Sequence, residues 1–347
     1  MNQKLKRGII IGLCCTTVVM IALWILGVFN SFNPLDADVS KTVLNIKLGQ
    51  LKGQDLISNQ SVFESSFQDK PEVLSLLRNN YTPKESEDSL QYQIWKSFYG
   101  QEYVIGIEKE ISVEFSDLKE ENNKLLLSFK RLKSHFPKKK LPKEIIFTNT
   151  NFGGNVYLGN GKLIVGLERY LGGYKKEVEK ILPPSEFPLW MQMGFDQQFM
   201  HRDIIMSSIL SNHTIPESSS EYLIEKIIEW GKVCVVTEMA LRINNEDIPA
   251  EIVLRWSKDQ WSWAEKNEKV FWNHLSKNDM LFSRSEKTNA FFLNNGPYTI
   301  GFSEKSPDRM GQYLGWKMVR NYIFNEKLSL SEMVRLDYKK ILKAYNP

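Results

Sequence analysis

Apolar and polar positions fall into three patterns along this chain. The first is a continuous apolar run: Gly8–Phe29 contains no charged residue, and Thr16 and Thr17 are its only clearly polar members. A membrane-crossing helix needs ~20 such residues, whereas the core of a cleavable signal peptide has ~7–15. Lys4, Lys6 and Arg7 precede the run, Asp36 and Asp38 follow it, and no A-x-A-like cleavage site comes after it. By the positive-inside rule the N-terminus is cytoplasmic and the remainder lies across the membrane. The expected organisation is a cytoplasmic tail over 1–7, a transmembrane anchor over 8–29, a polar linker over 30–40 and an exported globular domain over 41–347.

Helical and strand periods share the rest. Thr42–Leu48 alternates like a strand. Ser61–Asn80 and Glu85–Glu114 read as helical, with a break expected at Pro71. In Ser116–His135 the residues Leu118, Leu125, Phe129 and Leu132 recur at helical spacing behind a capping Ser116. Glu144–Thr150, Asn155–Leu158 and Lys162–Leu167 are short β-rich runs, and Asn160-Gly161 is a two-residue hairpin signal. Beyond Pro183–Pro184 the pattern is helical over Pro188–Leu210, Glu217–Arg242, Lys258–Ser283, Glu286–Asn294, Pro307–Phe324 and Leu330–Ala344, with a possible edge strand at Pro297–Phe302. The expected class is α+β, predominantly α-helical around a small sheet of three to five strands.

One helix places unusual demands on its neighbours. In Ser306–Phe324 (SPDRMGQYLGWKMVRNYIF) Ser306 can cap, Pro307 suits the first turn and Asp308 faces the positive end of the dipole. Gly311 and Gly315 then fall four apart on one face, beside a stripe of Met310, Leu314, Met318 and Tyr322. A glycine within a helix costs about 1 kcal/mol relative to alanine. Close approach of another backbone is the usual compensation. Arg309, Gln312, Trp316 and Arg320 flank this face as candidates for contact with a partner, Arg309 and Gln312 being expected at the surface.

Four stretches carry a family resemblance: Phe129–Pro137 (FKRLKSHFP) with Leu141–Thr150 (LPKEIIFTNT), Lys162–Gly172 (KLIVGLERYLG), Trp263–Ser283, and Ser306–Arg320. In order and spacing they resemble GldB, the gliding-motility-associated membrane protein family of Bacteroidota. The resemblance implies a membrane-anchored component supporting gliding motility and the linked type IX protein-secretion apparatus, with other envelope proteins of that machinery as partners. Because the family includes lipoproteins, it also implies an alternative address, a lipid anchor at Cys14 or Cys15. Against that, Leu13 stands where a small residue is needed before the acylated cysteine, and about six apolar residues lie upstream, fewer than the ~7–15 of an ordinary signal core.

Composition narrows the partners. The chain is 42% hydrophobic and 12% aromatic, which argues against disorder and supports a large core. Three of its 45 basic residues precede the anchor, so 42 basic and 41 acidic residues share the remainder. Such balance is a poor match for nucleic-acid binding. The one basic cluster, Lys138–Lys139–Lys140 beside Lys133 and Lys143, reads as a solvated loop, with peptidoglycan or lipid headgroups as the lesser alternative. Cys234, the one cysteine beyond the anchor, stands in an apolar helical run and reads as a small buried hydrophobe.

More distantly, the exported region resembles zinc peptidases: a small sheet, then helices, then a glycine-bearing helix. That chemistry requires two histidines at i and i+4 with Glu at i+1. His135, His201, His213 and His274 are followed by Phe136, Arg202, Thr214 and Leu275, and at i+4 by Lys139, Ile205, Glu217 and Asn278. The motif is absent. No serine elbow, phosphate loop or dinucleotide fingerprint replaces it. The expectation is therefore a degenerate peptidase-like fold without catalytic residues, metal or cofactor. Weak site candidates are the trio His201-Arg202-Asp203 and Glu238, an acid in an apolar run expected to pair with a buried arginine such as Arg202. Trp256, Trp261, Trp263 and Trp272 suggest a sugar platform less readily than an aromatic-rich core. The competing readings are an envelope hydrolase of atypical site, acting on peptide or peptidoglycan, and a module binding cell wall or lipoprotein clients.

Overall fold

A computed structural model describes residues 32–69, 91–173, 187–215 and 221–347, with positions 71, 73, 76 and 178 between them. The tail and anchor expected over 1–29 lie outside the described residues. Among the described residues no helix is long and apolar enough to cross a membrane.

The chain enters through β1 (Lys47–Gln50), displaced a few residues from the expected strand, and continues through α1 (Gly53–Leu56) and α2 (Gln60–Asp69). After residues 70–90, few of which are described, come α3 (Gln91–Tyr99), α4 (Glu102–Glu114) and α5 (Lys119–His135). The single helix expected over 85–114 is interrupted at Gly100–Gln101. At the start of α5 it is Asp117 Oδ1 that accepts from Lys119 N at 2.8 Å, in place of the expected Ser116 cap. Then follow β2 (Glu144–Thr148), β3 (Val156–Gly159) and β4 (Lys162–Gly166).

The sheet order is β1-β2-β4-β3. β1, β2 and β4 run parallel, while β3 pairs antiparallel with β4. Asn160 and Gly161 both take positive φ (46° and 76°), as a tight hairpin of this kind requires. The central runs Ile145–Phe147 and Leu163–Val165 are continuously apolar because both faces of the sheet are covered. Ile145, Phe147, Leu163 and Val165 face the main helical core. Ile146 and Ile164 face a smaller core built from Leu56, Phe63, Trp95, Phe98, Tyr99 and Val104.

The second half is helical, in shorter pieces than the sequence suggested: α6 (Leu189–Gln192), α7 (Met200–Ser211), α8 (Leu223–Leu241), α9 (Ala250–Val253), α10 (Lys258–Lys277), α11 (Glu286–Leu293), α12 (Met310–Asn325), α13 (Leu330–Met333) and α14 (Tyr338–Ala344). The helix expected over 188–210 breaks at Gly194, where Asp196 caps a new turn by accepting from Gln198 N at 3.0 Å. The helix expected over 330–344 breaks where Lys232 Nζ takes the Leu336 carbonyl (2.8 Å) and Asp337 caps α14 by accepting from Lys339 N (2.8 Å). Pro297–Phe302 forms turns rather than a strand.

α12 starts at Met310, not at Pro307. Ser306 Oγ is committed elsewhere, accepting from Thr299 N at 3.1 Å and donating to the Ser303 carbonyl at 2.6 Å. Arg309 takes a left-handed φ of 55° just before the helix. The Met310 amide donates to Thr299 Oγ1 at 3.1 Å. A loop braced on Thr299 therefore does what the expected serine cap would have done.

The expected close approach at the glycine face is present. α8 is buried along most of its length, and α12 crosses it with Gly315 against Gly231. A Cβ added at Gly315 would stand 1.9 Å from the Ile227 carbonyl oxygen, and one at Gly231 would stand 2.2 Å from Gly315 C and O. A Cβ at Gly311 would meet the Phe292 carbonyl oxygen at 2.8 Å, which seats α11 on the same helix.

The segment expected as a polar stalk is partly built into the fold. Leu35 is fully buried. Its carbonyl accepts from Arg131 at 2.7 Å, Asp36 pairs with Arg242 at 3.1 Å, and the Ala37 amide donates to Asn245 Oδ1 at 3.1 Å. Leu35–Pro347 forms one compact unit.

Candidate functional site

The trio on α7 divides in two: His201 turns to α5, whereas Arg202 and Asp203 pair with each other. His201 Nε2 lies 2.9 Å from Ser128 Oγ on α5. Burial, reinforced by Lys124, pushes the His201 pKa down to about 4. Arg202 turns inward, donating through Nε to the Val253 carbonyl (2.8 Å) and through NH1 to Asp203 Oδ1 (2.9 Å). The second oxygen of Asp203 accepts from Tyr170 OH (2.9 Å) and Asn155 Nδ2 (3.1 Å), and pairs with Arg255 at 3.2 Å. This carboxylate holds two arginines, a phenol and an amide, so α7, the sheet edge and the α9–α10 connection meet on it.

Glu238 forms a second, separate centre. Its partner is Arg320 (3.0 Å) together with Trp316 Nε1 (2.7 Å), not the expected Arg202. Helical geometry explains the difference: α12 crosses α8 at the glycines, which brings Trp316 and Arg320 over Glu238, whereas Arg202 is taken by the adjacent Asp203. Burial raises the Glu238 carboxyl above its ordinary range, with Arg320 pulling the other way.

Three of the four residues assigned to partner contact are inside the protein. Arg309 is 6% exposed and grips Asp308 through two hydrogen bonds of 2.9 and 3.0 Å. Asp308 in turn accepts from Trp256 Nε1 at 2.9 Å and from the Gly296 amide at 3.2 Å. Gln312 is 4% exposed and donates to the Leu293 carbonyl at 2.7 Å. The surface placement expected of Arg309 and Gln312 is thus corrected, because α12 is enclosed by α8, α10 and α11. Trp316 is buried against Trp261, with ring centroids 5.0 Å apart, and Arg320, half-buried, reaches over Trp316 and Phe324. Trp256 and Trp261 pack on Tyr313, Trp263 on Phe302 and Trp272 on Tyr345. That is an aromatic core, not an open sugar platform. Cys234 is buried, as expected, and its thiol is pushed up to about 12 by burial.

Other buried polar centres escaped sequence reasoning. Glu168 is fully buried and accepts from Thr150 N (3.0 Å), Thr150 Oγ1 (2.5 Å) and Phe152 N (2.9 Å), holding the β2–β3 loop where Asn151 and Phe152 adopt positive φ. Glu108 accepts from Asn149 Nδ2 at 2.9 Å, and burial raises both carboxyls. Arg131 donates to the carbonyls of Leu35 and Met239 and to Asn245 Oδ1 at 2.7–2.8 Å. The available signal was spacing: Arg131 continues the buried Leu125–Ser128–Phe129–Leu132 stripe of α5. Among the described residues no group of three or more His, Cys, Asp or Glu side chains is placed to hold a metal ion.

The histidines set a pH dependence. His135 is also pushed down to about 4, by burial and then by Arg131. An unfolded histidine titrates near ~6.5, so the unfolded chain binds these protons first as pH falls. Their contribution to stability is complete above about 6.5 and is lost on acidification toward 4. The raised carboxyls act oppositely, since each gains stability by protonating as pH falls. Comparison with a variant isolates the histidine effect. Between pH 7.5 and 5.5 His201→Gln should lose about 1 kcal/mol less stability than the unmodified chain. Denaturant melts at both pH values measure this, and parallel losses would contradict it.

Together these features define an α+β domain whose buried acids are braces between helices and loops. The chain belongs to the family of gliding motility protein GldB: the family model GldB_lipo, so described, matches residues 33–347. No curated protein and no solved structure matches the chain, so the expected likeness to zinc peptidases is without support.

Proposed function

We propose that this chain is a membrane-anchored, non-catalytic component supporting gliding motility and the linked type IX secretion apparatus, working through contacts with other envelope proteins. The family match over residues 33–347 carries the reading. The side chains at the positions first considered for catalysis support it, because each has a structural partner: His201 has Ser128, Asp203 has Arg202 and Arg255, and Glu238 has Trp316 and Arg320. The apolar run Gly8–Phe29 supports single-pass anchoring in the inner membrane with the folded domain in the periplasm. A lipid anchor at Cys14 or Cys15 is the alternative that the family model's lipoprotein suffix favours.

Removing the gene should stop colony spreading, and crosslinking in membranes should recover other proteins of the envelope machinery. Normal spreading without the chain would contradict the reading. Palmitate labelling dependent on Cys14 or Cys15 would replace the transmembrane anchor with the lipid one. Purified chain should hold no stoichiometric zinc. Zinc retained by the unmodified chain and lost from His201→Ala would instead support an atypical envelope hydrolase.

A further inference from the structure

The place where the chain enters the domain and its basic loop lie at the same end of the fold. Leu35–Asp38 pack on the C-terminal turns of α5, through Arg131 to the Leu35 carbonyl (2.7 Å) and Ser134 Oγ to the Asp38 carbonyl (3.0 Å). The same turns carry the loop Pro137–Lys143: Lys133 Nζ donates to the Pro137 carbonyl at 2.7 Å. That loop is tied to the β3–β4 hairpin, where the Lys143 amide donates to the Gly161 carbonyl (2.7 Å), and to the end of α7, where Lys139 donates to the His213 carbonyl. Lys138, Lys140 and Lys143 are exposed. Beside them Leu158 and Leu210 are 53% and 45% exposed, and a cavity of about 240 Å³ opens between the hairpin and Ser211–Asn212.

We propose that this end of the domain is a membrane-contact face, which lays Leu158 and Leu210 against an anionic bilayer with the lysines at its phosphates. The proposal rests on Gly8–Phe29 being the anchor. Five residues separate Phe29 from the fixed Leu35, and a fully extended chain covers at most about 3.6 Å per residue, so the entry point lies within roughly 20 Å of the bilayer. Charge points the same way. Arg242 pairs with Asp36 and Asp247, and Asp38 stays an exposed carboxylate accepting from the Ser40 amide; against these acids stand Lys133, Lys138, Lys139, Lys140 and Lys143. The exposed lysines therefore dominate, and clustered lysines with adjoining apolar side chains suit an anionic lipid surface.

The test uses the full chain reconstituted into vesicles of phosphatidylglycerol or of phosphatidylcholine, with a photo-crosslinking residue at position 158, 210 or 270. Val270 is 55% exposed on α10 and serves as the reference. Lipid adducts at 158 and 210 should exceed those at 270 several-fold in phosphatidylglycerol. The triple variant Lys138→Glu/Lys140→Glu/Lys143→Glu should lose most of that excess, at about five-fold per lysine, and melting of the unlabelled variant confirms its fold. Adduct yields equal to position 270, or unchanged by the charge reversal, would overturn the proposal. Carbonate extraction of the same vesicles tests the anchor separately. A chain released by carbonate refutes the anchor reading, whereas one retained without adducts at 158 and 210 refutes this face alone.

Discussion

Gly315→Ala should lower the stability of the folded domain by about 3 kcal/mol, the upper end of ordinary overpacking, although it adds a single methyl group. The atoms it would meet are backbone: the Ile227 carbonyl oxygen at 1.9 Å and carbon at 2.8 Å, and the Gly231 nitrogen at 3.0 Å. No rotamer change relieves a clash with a carbonyl, so one helix must move. That movement is opposed, because Gly231 approaches Gly315 just as closely from the other side and Trp316 and Arg320 are held on Glu238 just beyond. A melting temperature lower by roughly 4–5 °C is expected for a unit of this size. Gly49→Ala is the control, since nothing lies within 4 Å of a Cβ there. If the two variants melt alike, the glycine seam does not constrain the helix pair.

Asp203→Ala should be at least as damaging. Arg202 and Arg255 would lose their carboxylate, and Tyr170 and Asn155 would lose an acceptor in the same buried volume. Removing one partner of a buried pair typically costs about 3–5 kcal/mol, because the remaining charge stays desolvated. The origin of that cost is testable by a second substitution. Replacing Arg202 by Met in the Asp203→Ala background should recover part of the stability, even though Arg202 also donates to the Val253 carbonyl. Chemical denaturation of the single and double variants measures the coupling. A double variant as unstable as the sum of the singles would show that the two charges do not act on each other.

Much of the architecture was readable from local signals. Asn160-Gly161 fixed the hairpin, and the short β-rich runs Glu144–Thr150 and Lys162–Leu167 marked β2 and β4. Gly311 and Gly315 announced a close helix crossing, but their counterpart Gly231 passed unnoticed as one glycine in the apolar stretch EWGKVCVV. Positions that depend on distant residues were misplaced. Arg309 and Gln312 look like surface residues beside an apolar stripe, and only the enclosure of α12 by α8, α10 and α11 buries them. Helix starts failed for a similar reason. Ser306 has the chemistry of a cap, yet Thr299 and Ser303 claim its hydroxyl first. Glu238 was correctly read as needing an arginine, but choosing between Arg202 and Arg320 required the crossing geometry of α8 and α12. Glu168 gave no local sign of its role, because its three hydrogen bonds all go to a loop more than a dozen residues away.

If this protein works through the surfaces it presents, as proposed, His201 serves the fold alone. The decisive measurement is colony spreading by cells whose only copy carries His201→Gln, with the abundance of the chain measured alongside. Glutamine can keep a hydrogen bond to Ser128 but cannot act as a histidine base or acid. Spreading equal to that of unmodified cells at equal abundance is the predicted result. A folded, fully abundant His201→Gln protein that no longer supports spreading would contradict it.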